Sequence, residues 1–262
     1  MKTNVIREAL KADKPTFATR VLSTWPSVTE MVGATGFFDY VEFPVEYMPF
    51  DQADLENIAR AAELHNMGSM IKVDFTNRFY VAQKAVSSGF QAVLFADHKT
   101  PDEVRETIKF MKSDTPFSNG RFGFPCRRYI GYQPTIPLLD HAKRVDDLVM
   151  CFMIEKKEAM DNIEEICSIP GVDMVQFGPY DYSLNHGKDI NEFRQECRDA
   201  EKRMIEVALK HGVAPRCEVY GKPEDILYYQ SLGVKHVCYG DEIMSYNDYL
   251  QSACKKAREL VK

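Results

Sequence analysis

Short apolar runs of four to seven residues alternate along this chain with longer segments whose apolar residues recur at helical spacing. The runs fall at residues 16–21, 40–43, 69–73, 92–95, 148–154, 174–177, 214–219 and 236–239. Helical patterns follow most of them, as at residues 52–65, 101–112, 156–167, 192–210 and 223–231. Gly212 stands just past the longest of these, where a helix-terminating glycine is expected. Strand–helix alternation makes successive strands parallel, because each helix carries the chain back to the starting edge. Eight such units predict a single (β/α)₈ TIM barrel spanning residues 1–262. The length suits that fold, which takes about 250 residues.

Composition narrows the function classes. The formal net charge is -6 at pH 7 and the basic residues form no stripe, which argues against a nucleic-acid partner. No apolar run approaches the roughly 20 residues that span a bilayer, so no membrane association is expected. Residues 1–14 are mixed and charged, without a signal-peptide core. The seven cysteines (Cys126, Cys151, Cys167, Cys197, Cys217, Cys238 and Cys254) are widely spaced with no C-x-x-C pair, which predicts reduced thiols and a cytoplasmic location. The stretch 113–147 is long for a connection and carries Gly120, Gly123, Gly131, Pro125, Pro134 and Pro137. Long loops of this kind are often functional, and part of this one is expected at the barrel mouth.

Chemistry in such a barrel belongs where strands end. The predicted strand ends carry Arg20, Glu42 and Glu46, Lys72 and Asp74, Asp97 and His98, Glu155, Asp181, Arg216 and Glu218, and Asp241. Carboxylates near most ends suit a hard divalent cation, which takes oxygen ligands. Glu155 and Asp181 follow neighbouring strands and can meet on one ion. Both also stand where an acidic residue caps a helix or turn, so residue type alone leaves the two readings open.

The segment Val149–Glu155 (VMCFMIE) followed by residues 170–183 (PGVDMVQFGPYDYS) resembles the HpcH/HpaI aldolases, class II pyruvate aldolases whose pattern is a strand ending in Glu and then P-G-V-D…G-P-x-D-x-S. Weaker likenesses follow in order: residues 38–47 (FDYVEFPVEY), 71–74 (IKVD), 120–123 (GRFG, like the family's R-G loop) and 238–241 (CYGD). The resemblance implies a (β/α)₈ barrel whose last helix is exchanged between subunits, in a homo-oligomer that is usually a hexamer. It implies Mg²⁺ or Mn²⁺, with Co²⁺ as a further option, held by Glu155 and Asp181 and chelated by a small-molecule 2-oxo acid such as pyruvate. The ion then stabilises an enolate as a Lewis acid. Gly178, Pro179, Tyr180, Arg20 and Arg121 become the expected substrate-binding residues.

The chain departs from the family pattern where protons move. Tyr47 stands at the family's His, Lys72 at its strand-three Arg, Met153 at a Gln, Pro44 at an Asp, and Tyr180 at a small residue. Tyrosine is a poor base at neutral pH, and lysine offers a point charge without arginine's planar fork. Retro-aldol cleavage needs a base for the substrate hydroxyl, whereas decarboxylation of a 3-carboxylated 2-oxo acid does not. Lys72, Tyr47 and His98 are the catalytic candidates, His98 as substitute base or, alternatively, as an exposed loop histidine. Tyr47, Tyr180 and Tyr182 either pack or narrow the pocket. Arg121, Arg127 and Arg128 either meet a distal carboxylate or phosphate, stay solvated, or sit at a subunit interface. The leading expectation is a metal-dependent carbon–carbon lyase, aldolase or decarboxylase. The alternatives are an isomerase or hydrolase on a related keto or sugar acid, and a non-catalytic binding member that keeps the metal.

Overall fold

A computed structural model describes residues 3–125, 127–132 and 136–261. Cys126 and Pro134, singled out above, lie outside the described residues. The strands are β1 (Thr16–Arg20), β2 (Tyr40–Pro44), β3 (Gly68–Val73), β4 (Ala92–Phe95), β5 (Val149–Ile154), β6 (Met174–Phe177), β7 (Ala214–Val219) and β8 (His236–Asp241). All pair in parallel and in sequence order, and β8 closes onto β1 through Thr16↔His236 and Ala18↔Cys238. The expected barrel is therefore the observed one, with strand limits within two residues of expectation.

Strand alternation sorts the side chains into two layers. Even-numbered residues of β1–β4 and β6–β8 and odd-numbered residues of β5 point inward, so Ala18, Tyr40, Met70, Leu94, Cys151, Met174 and Cys238 form one inner cluster. The alternate set, including Val41, Phe43, Ile71, Val93, Phe95, Phe152, Val175 and Val237, packs outward beneath the helices in a larger cluster. Arg20, Glu42, Lys72, Gln176, Arg216 and Glu218 all share the inward parity. The upper barrel is thus lined by charge and hydrogen-bonding groups, while the outer layer holds the apolar mass.

The helix Val5–Lys11 closes the lower end. Ile6 is buried with the inner cluster, Asn4 donates to the carbonyls of Gln91 and Asp147, and Arg7 pairs with Asp173 at 2.6 Å. The stretch after the helix Pro101–Met111 also lies at this lower end, because that helix runs antiparallel to the strands. Ser113 is tied to Asp146, just ahead of β5, through its backbone N–H and hydroxyl, and Arg128 grips Glu63 at 2.6 Å. The expectation that part of this loop reaches the mouth is corrected: it contains a helix, Leu138–Asp146, and braces the floor. The helix expected over 156–167 is broken at Asn162 into Lys157–Asp161 and Ile163–Ser168.

The C-terminal segment behaves differently. Its helices Glu242–Tyr249 and Lys255–Leu260 are joined by a π-helical turn, and every residue from 243 to 261 is exposed. Ile243, Met244, Tyr246, Tyr249 and Leu250 are bared on it, while Trp25, Met31 and Phe37 are bared on the barrel. Among the described residues, no helix is long and apolar enough to cross a membrane.

Candidate metal centre at the barrel mouth

Glu155 directly follows β5 with inward parity and is 1% exposed. One carboxylate oxygen, Oε1, accepts the Asp97 backbone N–H at 2.8 Å. The other, Oε2, is buried with no hydrogen-bond partner. Burial pushes this carboxyl up to about 7 against the pull of Lys72. An ionised carboxylate held with an orphaned oxygen is costly unless a cation meets it.

The chain brings other carboxylates to this one. Glu46, Asp97 and Glu155 each present an oxygen within 4.8 Å of the others. Asp97 reaches the site because its backbone is left-handed, with φ at 62°, a conformation that aspartate tolerates better than most residues. Lys72 Nζ lies 2.5 Å from Glu46, and Lys156 Nζ lies 2.6 Å from Asp97 and 3.9 Å from Asp181. Asp181 sits in the first turn of the helix Pro179–Asn185 and contributes to the upward shift of Glu155. Four carboxylates thus face two ammonium groups. The all-oxygen donor set, the excess negative charge and the orphaned Oε2 fit a hard divalent cation. Glu155 and Asp181 occupy one neighbourhood, but the tight constellation is Glu46, Asp97 and Glu155. Glu46 and Asp97 were visible as strand-end carboxylates in the sequence; nothing there singled them out as partners of Glu155.

Gly178 opens the turn after β6. A β-carbon there would lie 2.6 Å from Oε2 of Glu155 and 2.9 Å from the Met153 methyl. Its role as placed here is to leave room for the carboxylate. Pro179 starts the following helix, and Tyr180 projects from it into solvent.

Beneath the carboxylates lies a second ionic network. Arg20 donates to Glu42 at 3.0 Å, Glu218 at 2.9 Å and the Tyr220 hydroxyl at 2.7 Å. Arg216, fully buried, donates to the Tyr40 hydroxyl at 2.8 Å and to Gln176, and pairs with Glu42 at 2.5 Å. Burial would raise the Glu42 carboxyl, but Arg216 and Arg20 outweigh it and hold the group below its usual range. The Arg20 guanidinium is therefore engaged on both edges by the protein itself, which runs against its expected use on substrate. Arg216, as the counter-charge that permits Glu42 inside the barrel, was not recognised from sequence; its inward parity on β7 was the available signal.

The acid–base candidates separate. Tyr47 is 80% exposed at the mouth, and partial burial of its phenol together with Glu46 and Asp181 raises its pKa above the ordinary value. That direction disfavours the phenolate, the form a base would need. His98 is 1% exposed in the outer layer, where Nδ1 meets the Ala96 carbonyl at 2.9 Å and Nε2 the Thr107 hydroxyl at 2.7 Å. Phe75, Phe95 and Phe152 surround its ring, and burial lowers its pKa to about 4. Its assignment as substitute base is corrected: both nitrogens are engaged and the ring faces the helices. Arg121 is exposed beside Lys112 at the lower end, whose carbonyl accepts the Arg121 N–H at 3.0 Å. Within one subunit it is therefore at the end opposite the carboxylates, and the expected substrate contact is corrected accordingly.

The model of the HpcH/HpaI aldolase/citrate lyase family matches residues 51–246. The chain belongs to this family. It is accordingly an enzyme of the aldolase/lyase type. The 2-keto-3-deoxy-L-rhamnonate aldolase of Escherichia coli O6:K15:H31 (strain 536 / UPEC) is 24% identical over 256 residues, 95% of this chain and 91% of that protein. The hydroxypyruvate/pyruvate aldolase of Sagittula stellata is 24% identical over 161 residues, and the match spans only 61% of that protein's length and 61% of this chain. The crystal structure of an HpcH/HpaI aldolase from Desulfitobacterium hafniense DCB-2 superposes with a TM-score of 0.88 at 18% identity, covering 97% of this chain and 96% of that one. That likeness supports the barrel. The HpcH/HpaI pattern read from residues 149–183 thus identified the family correctly.

Proposed function

We propose that this HpcH/HpaI member is a divalent-metal-dependent carbon–carbon lyase for a 2-oxo acid, with decarboxylation of a 3-carboxylated 2-oxo acid favoured over aldol cleavage. The observation that carries the metal half is the buried, unpartnered Oε2 of Glu155, in a carboxylate that gathers with those of Glu46 and Asp97. Glu155 and Asp181 are the proposed ligands, with Asp97 and Glu46 adjoining, and the oxygen donors suit Mg²⁺ or Mn²⁺, or Co²⁺. When bound, such an ion supplies Lewis acidity. Lys72 contributes a fixed positive charge on the inner wall, held by Glu46. The missing side chain at Gly178 lets the β6 turn pass close over the Glu155 carboxylate, and Pro179 and Tyr180 follow it in the next helix.

The preference for decarboxylation follows from the proton-transfer groups. Tyr47 holds its proton, and His98 is sequestered in the outer layer. Neither supplies the base that a retro-aldol step requires. Tyr47 suits instead donating a hydrogen bond at the mouth, with solvent protonating the developing carbanion. The substrates of the relatives, pyruvate among them, make a 2-oxo acid the substrate class to test.

The test is methyl hydrogen exchange of pyruvate in D₂O, followed by NMR with and without Mn²⁺, together with Mn²⁺-dependent decarboxylation of oxaloacetate. Exchange and decarboxylation that both require the ion support the reading. Silence in both assays rules it out. An isomerase or hydrolase role, or a non-catalytic one, would then be the reading left.

The exposed apolar face of residues 243–261 suits exchange of this segment with another copy of the chain, in a homo-oligomer that the family resemblance puts at a hexamer. Sedimentation of the natural chain and of a Tyr246→Ser/Leu250→Ser variant tests this: a variant that sediments like the natural chain counts against it. The described cysteines are all free thiols, consistent with the proposed reducing, cytoplasmic setting.

A further inference from the structure

We propose that Lys156 is a built-in counter-cation of the acidic cluster, competing with the divalent ion for Asp97 and so setting how tightly this chain holds metal. The inference rests on the metal reading above and concerns a residue that the reading does not otherwise use. Lys156 follows Glu155 directly, in an extended backbone conformation with φ −124° and ψ 146°. Its side chain lies over the cluster rather than in solvent, with Nζ 2.6 Å from Asp97 Oδ1 and 3.9 Å from Asp181 Oδ1.

The two lysines of the site differ in what they are free to do. Lys72 lies within β3, paired in register with Pro44 on one side and Leu94 on the other, and its ammonium is held by Glu46 deep in the wall. Lys156 lies beyond the last paired residue of β5, on a flexible four-carbon stem at the rim of the mouth. Asp97 has its backbone tied to Glu155 through the 2.8 Å hydrogen bond, so its position is fixed whichever cation its carboxylate faces. The unpartnered Oε2 of Glu155, in a residue 1% exposed, marks the place an ion would fill. A divalent ion there, sharing Asp97, stands next to the Lys156 ammonium, and like charges at such range repel strongly in a partly desolvated site. The same ammonium stands 3.9 Å from Asp181, so an ion held by Glu155 and Asp181 meets it as well, and the long stem lets Lys156 swing out to solvent at the rim. The resting site is thereby partly neutralised, and the ion has to displace a protein cation to enter.

The test is Mn²⁺ binding to the full-length chain without substrate, read from the electron paramagnetic resonance signal of the free ion. K156M removes the charge and keeps the stem's bulk; K156Q is a second, more polar replacement in case the first destabilises the fold. Both are expected to bind Mn²⁺ about tenfold or more tightly than the natural chain. In an Asp97→Asn background the same Lys156 replacement is expected to give a clearly smaller gain, since the shared anion is gone. Unchanged or weaker binding in both K156M and K156Q, with binding still abolished by E155Q, overturns this proposal and leaves the metal reading intact. An undiminished gain in the D97N background overturns the role of Asp97. Mn²⁺ binding that survives E155Q puts the ion elsewhere and removes the metal reading together with this inference.

Discussion

A β-carbon added at Gly178 would stand 2.6 Å from Oε2 of Glu155, closer than any side chain can tolerate. The turn after β6 is therefore shaped around the orphaned carboxylate oxygen of the residue that follows β5. Gly178→Ala is expected to push that carboxylate off its position and weaken Mn²⁺ binding by about 10- to 100-fold, the range for residues that orient metal ligands. Titration calorimetry measures it; a variant that binds Mn²⁺ as tightly as the natural chain would show that the Glu155 position is not critical.

Glu155→Gln is expected to abolish Mn²⁺ binding and metal-dependent activity. It is also expected to stabilise the ion-free protein at alkaline pH. The Glu155 carboxyl is raised to about 7 by burial, so its proton is bound more tightly in the folded chain than in the unfolded one. Its contribution to stability is full below the unfolded value of about 4.3 and lost as pH rises through 7. Denaturant unfolding in a chelator should show the Gln variant ahead by about 1–3 kcal/mol at pH 8 and level with the natural chain near pH 4. Equal stability at both pH values would contradict the burial argument.

Tyr47→Phe removes a donor and not a base, because its partly buried phenol beside Glu46 and Asp181 keeps its proton above the ordinary range. The oxaloacetate decarboxylation rate is expected to fall less than about tenfold, below the 10²–10⁴ range typical of general acid–base groups, with both limbs of the pH profile unmoved. A fall of a hundredfold together with the loss of one limb would instead make Tyr47 the proton-transfer residue.

His98→Gln is expected to leave the catalytic rate near its natural value and to flatten the acid side of the stability profile. Burial lowers the His98 pKa to about 4, below the unfolded value of about 6.5. The unfolded chain binds the extra proton first, so stability is lost as pH falls from 6.5 towards 4, by about 3 kcal/mol for this group. Urea unfolding at pH 4.5 and pH 7 measures the difference. If the natural chain and the variant lose stability in parallel, His98 is not neutral in the fold.

The barrel was legible because its apolar runs are short, regular and separated by amphipathic helices, and strand parity alone sends Arg20, Glu42, Lys72 and Arg216 inward. The site was less legible where one backbone angle reverses that parity. On β4 the inward residues are even-numbered, through Leu94 to Ala96, so His98 reads as inward and Asp97 as outward. The left-handed turn at Asp97 exchanges them. Asp97 joins Glu155 and Glu46, while the His98 ring drops among Phe75, Phe95 and Phe152. The position of the 113–147 stretch was misjudged for a different reason. Its length suggested a functional loop, and only the direction of the helix Pro101–Met111 fixes which end of the barrel it serves.

The helix Val5–Lys11 seals the barrel floor, with Ile6 plugged into the inner cluster. The interior above it is a packed core and not a pore, so the carboxylate site is reached only from the rim that carries Asp97 and Glu155. For a lyase, which makes two fragments from one molecule, both fragments leave on the side from which the substrate came.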